Sequence, residues 1–144
     1  MILSKMRRIG KPPLRPEDLP VPPEPLRARV HGSPEPERFL TVGHQCSVDI
    51  ETGLRAVGTE LRSLRTILDF GCGCGRTLRW FAAQSRTHRF FGTDIDAKAI
   101  GWCTDHLPFG TFAVNDALPP LVYPDAMFDL VYGTPEIFVD FFIR

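Results

Sequence analysis

Apolar side chains recur at Cys46, Ile50, Leu54, Val57, Leu61 and Leu64, spaced by 4, 4, 3, 4 and 3 residues, which is the stripe of an amphipathic helix. Asp49, Glu51, Arg55, Glu60 and Arg62 fall on the other faces. The spacing predicts one helix over about residues 41–63, packed against a sheet, although Gly53 and Gly58 each weaken it by about 1 kcal/mol relative to alanine. Beyond it, Thr66-Ile-Leu-Asp-Phe70 reads as a short buried strand closed by Gly71-Cys-Gly-Cys-Gly75. Good helix formers follow from Arg76 to Gln84, with Leu78, Phe81 and Ala82 on one face. Arg89-Phe-Phe-Gly-Thr-Asp94 is a second strand. Asp96 stands where it can cap a further helix from Ala97 to about His106, with Ile100, Cys103 and Leu107 turned inward. Thr111-Phe-Ala-Val-Asn115 and Phe128-Asp-Leu-Val-Tyr132 read as third and fourth strands, separated by the proline-rich loop Leu118-Pro-Pro-Leu-Val-Tyr-Pro-Asp125. Strand and helix alternating at this spacing predict an α/β fold with a parallel sheet and crossover helices.

Composition places this pattern in one soluble globular domain: 144 residues, 43% hydrophobic, 24% charged, net charge zero. Fibrous, collagen-like and wholly disordered chains are excluded. No apolar run approaches the ~18 residues a membrane span needs, and no apolar stretch follows the basic residues near Met1, so no membrane role and a cytoplasmic location are expected. Nine of the 14 prolines lie in residues 1–38. Proline fixes its own φ and biases the residue before it towards extended backbone. Residues 1–38 are therefore expected to be a disordered arm, without a helix between Pro12 and Pro36 and dispensable for folding, with residues 39–144 as the domain. Eight Lys/Arg against five Asp/Glu in the arm is too small a surplus to signal nucleic acid. Cys46, Cys72, Cys74 and Cys103 form no Cys-x-x-Cys pair, and the four histidines fall at no ligand spacing, so free thiols and no metal are expected.

In an open α/β sheet, ligands bind beyond the carboxyl ends of the strands where strand order reverses, and the unusual residues here gather at such ends. Asp69 and the glycines 71, 73 and 75 follow the first strand, Asp94 and Asp96 the second, Asn115 and Asp116 the third. Glycines let the backbone turn sharply and approach a ligand, with loop amides directed at it. The Gly-x-Gly-x-x-Gly spacing of a dinucleotide site is broken, because Arg76 stands where its third glycine belongs. Asp94 lies 23 residues after Gly71, where an acid accepts from both hydroxyls of a ribose. Asp96 is assigned to capping, and Asp129 to structure. Asp116 suits either an exocyclic amine of a purine or a solvated turn.

Ile67-Leu-Asp-Phe-Gly-Cys-Gly-Cys-Gly-Arg76, Phe91-Gly-Thr-Asp-Ile-Asp96, Asn115 to Asp129 and Phe128-Asp-Leu-Val-Tyr132 resemble, in order, the cofactor-binding half of class I S-adenosylmethionine-dependent methyltransferases. The resemblance covers about residues 65–132 and implies a partial Rossmann-like parallel sheet preceded by a helix and the proline-rich arm. It implies S-adenosyl-L-methionine as cofactor, with Asp69 beside the methionine amino group and the backbone of Gly71, Gly73 and Gly75 around the methionine part. It further implies Asp94 on the ribose hydroxyls, Ile95 on the adenine, and Asp116 with the Ala117 amide at the adenine edge. The reaction implied is direct displacement of the methyl group by a nucleophilic O, N, C or S. No residue is assigned to catalysis and the acceptor is unidentified.

Family members continue through three more strands, whereas this chain stops 12 residues after Tyr132. A C-terminally incomplete, truncated domain of little activity is therefore expected, its fourth strand an apolar edge that invites self-association or a completing chain. The apolar tail Ile137-Phe-Val-Asp-Phe-Phe-Ile143 is suited either to cover that edge as a fifth strand or short helix or to aggregate. Three classes stay open: a methyltransferase cut short, a non-catalytic S-adenosylmethionine-binding module, and an NAD-type nucleotide-binding α/β protein.

Overall fold

β1 (Thr66–Phe70) has four consecutive buried residues, Thr66 to Asp69, so it is covered on both faces, as central parallel strands are. In the computed structural model, which describes residues 11–31, 33–134 and 140–143, β1 pairs in parallel with β2 (Arg89–Asp94) on one side and β4 (Leu130–Gly133) on the other. β3 (Gly110–Val114) lies outside β2, again parallel. β5 (Asp140–Ile143) runs antiparallel along β4, with Leu130 opposite Ile143. The order β3-β2-β1-β4-β5 reverses direction between β1 and β4, and the crevice beyond the carboxyl ends of those strands is the place where such sheets bind ligands. The fourth strand is thus paired on both sides, and the outer edge passes to β5. Residues 135–139 of the tail lie outside the described residues.

Asp129 anchors the opposite end of the sheet. Its carboxylate accepts from the amides of Arg65 and Thr66 (2.8 and 2.9 Å) and from the Thr66 hydroxyl (3.0 Å), tying the approach to β4 to the start of β1. The main core joins Ile50, Leu54, Leu61 and Leu64 to Ile67, Leu78, Phe81, Phe90, Leu130 and Tyr132.

The long helix is displaced from its expected span. α2 runs over Pro36–Ala56, not residues 41–63. It starts earlier because Pro36 occupies its first turn, where a missing N–H costs nothing, and Phe39 is fully buried. It stops earlier because Gly58 adopts φ +78°, which leaves Val57 60% exposed. Leu61 and Leu64 still reach the core, through a 3-10 turn at Leu61–Ser63. The segment after the glycine loop forms 3-10 turns over Leu78–Arg86, and α3 occupies Ala97–His106 with Asp96 accepting from the amides of Lys98 and Ala99.

The N-terminal segment departs furthest from expectation. Residues 11–31 are not a disordered arm: they make a 3-10 turn at Pro16–Asp18 and a helix, α1, over Glu24–His31. Pro25 sits in the first turn of α1, and no proline follows until Pro34, so proline starts this helix rather than forbidding it. Leu19 packs with Ala82, Cys103 and Leu107, and Leu26 with Phe39, Cys74 and Ala99. Residues 1–10 lie outside the described residues.

Removing residues 1–34 should lower the thermal midpoint by more than about 5 °C, since two buried leucines and the partners of a buried arginine leave together. Scanning fluorimetry of the shortened and full chains checks this, and equal midpoints would make the segment dispensable.

Candidate functional site

The glycine loop after β1 is stitched to the end of β2. The Thr93 carbonyl accepts from the amides of Gly71 (2.8 Å) and Cys72 (2.9 Å), and the Asp94 carboxylate accepts from the amide of Gly73 (2.8 Å). This bends the chain through φ +75° at Gly71 and +54° at Gly73, a region that disfavours any residue with a Cβ. Three of the loop amides expected to face a ligand, those of Gly71, Cys72 and Gly73, are thus spent on β2, and that of Gly75 on the Cys72 carbonyl. What the loop offers a ligand is shape: a Cβ placed on Gly71 would meet nothing within 4 Å.

Around it lies a cavity of about 560 Å³, lined by Gly71, Gly73, Asp94, Ile95, Asp96, Arg29 and Val30. Four of the expected site residues, Gly71, Gly73, Asp94 and Ile95, come together here. Ile95 is 65% exposed and offers an apolar ledge. Asp94 is not a carboxylate in want of partners: its second oxygen accepts from the Asp96 amide at 2.8 Å. Four lone-pair sites on a carboxylate leave room for further donors. Gly75 faces away, since a Cβ there would strike Leu107 of the α3 end. Asp116 and Ala117 are exposed at the start of the loop leaving β3, outside the residues that line the cavity. That loop is held back on the sheet by an edge-to-face trio of Phe91, Tyr123 and Phe128, with ring centres 5.0–5.7 Å apart.

Asp69, two residues before the loop on β1 and 1% exposed, is outside the residues that line the cavity, and neither carboxyl oxygen has a hydrogen-bond partner. Burial pushes its carboxyl up from 3.8 to about 7, because desolvation penalises the charged form. Tyr132, its partner in β4, and the Arg76 guanidinium draw it down, while Asp94 raises it. The Tyr132 hydroxyl is near enough to act on the carboxyl but falls short of hydrogen-bond geometry. A buried carboxylate without a donor is costly, and a cationic group entering from the loop side would relieve that cost. The neighbouring thiols do not compete for this role. Cys72, Cys74 and Cys103 are free and buried. Burial pushes Cys74 up to about 12, and the Cys103 thiol followed by burial pushes Cys72 well above its usual value, which makes both poor nucleophiles and poor metal ligands.

Sequence reasoning missed Arg29 and Val30. Nothing local marks them, since they reach the cavity only because α1 docks against the loop. Val30 rests on Gly73, at 2.6 Å from where a Cβ would stand, and the Arg29 guanidinium pairs with Asp96 at 2.9 Å.

Residues 67–140, just over half of the chain, match the family model of a methyltransferase domain. The chain belongs to this family. Its sheet is that of the class I methyltransferase fold, and S-adenosylmethionine is the cofactor that goes with it. Among solved structures the chain is similar to a TehB-like SAM-dependent methyltransferase from Corynebacterium glutamicum, at 26% identity and a TM-score of 0.40 over 61% of this chain and 52% of that one. It is also similar to the plantazolicin methyltransferase BpumL, solved with a monoazolic desmethylPZN analog and SAH, at 21% identity and 0.44 over 66% and 34%. The chain thus spans about half of the first of these proteins and about a third of the second. Among the described residues, no helix is long and apolar enough to cross a membrane.

The raised Asp69 carboxyl gives a pH signature. The folded chain holds this proton more tightly than the unfolded one, so its contribution to stability is complete below 3.8 and is lost as the pH rises to about 7. Asp69→Asn, which cannot ionise, should flatten this part of the stability profile and leave the ligand-free chain at least as stable as wild type above about pH 7. Urea denaturation across that range checks it, and an unchanged slope would clear Asp69 as the cause.

Proposed function

We propose that this methyltransferase-family chain binds S-adenosylmethionine in the cleft between the glycine loop and Asp94 and presents its methyl group to an acceptor. The observation that carries the reading is Asp69: a buried carboxylate with two unpartnered oxygens, at the base of a glycine loop whose open side is a cavity, fits the ammonium of an amino acid. Asp94, already fixed by two backbone amides, would use its remaining lone pairs on the ribose hydroxyls, and exposed Ile95 would support the adenine. Gly71 and Gly73 let the backbone lie close to the methionine part, and Gly75 sets the turn behind them. Asp116 and Ala117 would meet the adenine edge from the loop after β3. What such a cofactor supplies when bound is a methyl group on a sulfonium, open to direct displacement by a nucleophilic O, N, C or S. The chain's own residues bind and orient, which supplies much of the rate in such reactions.

Asp94→Ala should weaken S-adenosylhomocysteine binding by about 1–3 kcal/mol, the cost of a partner left unsatisfied. Gly73→Val should abolish it, because a side chain there is strained and collides with Val30. Isothermal titration with S-adenosylhomocysteine, with NAD as the comparison ligand, tests both. Unchanged affinity in both variants, or NAD bound in preference, would sink the assignment.

A further inference from the structure

Arg79 is buried, 1% exposed, and among the described residues no carboxylate pairs with it. A guanidinium in that position must find acceptors elsewhere, and here they all come from the N-terminal segment. Nη1 donates to the Pro20 carbonyl (3.0 Å), and Nη2 to the carbonyls of Leu19 (2.8 Å) and Pro16 (3.1 Å). Between these carbonyls and α1 the chain reads Pro20-Val-Pro-Pro-Glu24. Three of its φ angles are set by proline rings, so a position fixed at residues 16–20 is passed on stiffly to the helix. Arg27 braces the other side, donating to the Pro34 carbonyl at 2.7 Å and to the Pro22 carbonyl. At its far end α1 places Val30 on Gly73 and Arg29 on Asp96, both in the wall of the cavity.

We infer that residues 11–31 are a strap forming the outer wall of the cofactor cleft, and that Arg79 is the positioning residue that sets it there. The inference rests on the cofactor site proposed above and adds to it a wall that no motif carries. A ligand lying between Gly71, Asp94 and Ile95 touches the strap, so strap docking and ligand binding are reciprocal: each stabilises the other by the same factor. The proline-rich composition serves this role, because a segment with few accessible conformations loses little entropy when it docks.

The test uses the full chain, with S-adenosylhomocysteine as ligand and trypsin as the probe of the strap at Arg27. In the wild type, saturating ligand should slow cleavage at Arg27. Arg79→Met removes the three carbonyl bonds while keeping an apolar stem. It should speed cleavage and weaken binding about tenfold, within the usual range of coupling between sites. Arg79→Lys, which keeps donors without the planar fork, should recover part of both. Arg29→Ala serves where the Arg79 variants lose their fold, since Arg29 is half-exposed and, among the described residues, its ion pair with Asp96 is what the change removes; it too should weaken binding and ligand-dependent protection. Wild-type chain that binds ligand without any change at Arg27 would overturn the inference. So would a folded Arg79→Met chain with a freed strap and equal or tighter binding, which would make the strap a bystander or a plug. Absence of binding in the wild type, with cleavage still accelerated by Arg79→Met, would instead overturn the reading of the site while leaving the strap's attachment in place.

Discussion

The Thr93 carbonyl and the Asp94 carboxylate together take three consecutive amides of the glycine loop, those of Gly71, Cys72 and Gly73. This junction governs the arrangement around it. It forces left-handed backbone at Gly71 and Gly73, and so requires glycine there. It fixes the Asp94 carboxylate at the mouth of the cleft, with further lone pairs open. Val30 packs against Gly73, in the space a Cβ would take. The amides of Gly71, Cys72 and Gly73 are thus committed within the protein, and what the loop leaves open is its shape and the remaining lone pairs of Asp94.

Two buried ionisable side chains are handled in opposite ways on either side of that loop. Arg79 donates from Nη1 and Nη2 to three main-chain carbonyls, its Nε staying without a partner, and its burial is turned into an attachment for the N-terminal segment. Asp69 is left without a donor and its carboxyl is driven up towards neutrality. A neutral or unpaired buried acid lowers stability at physiological pH, and such perturbed groups gather at sites of function.

Most of the sheet was legible because its signals are local. β1 and β2 occupy the residues their apolar runs indicated, and Asp96 caps α3 by accepting from the two amides that a capping aspartate should reach. Boundaries moved where a single backbone angle decided them, as at Gly58, which ends α2 before Val57 can join the core. In the site, Gly71, Gly73, Asp94 and Ile95 converge because strand ends in a parallel sheet converge. Asp116 and Ala117 depend on the course of a loop without regular structure, and they lie outside the cavity lining.

By itself, the sequence determined which segments are the four parallel strands, where the chain must turn on glycine, and which acids stand at the strand ends, since each follows from periodicity and backbone sterics within a few residues. Only the tertiary structure decided that a proline-rich segment is part of the domain. Composition counts the prolines, but it cannot show that Arg79, some 60 residues away, is buried where it donates to the carbonyls of Pro16, Leu19 and Pro20. The same holds for β5 along β4 and for Arg29 and Val30 in the cleft wall. These are contacts between distant parts of the chain, and their free energy comes from burial and hydrogen bonds that no short stretch of residues contains.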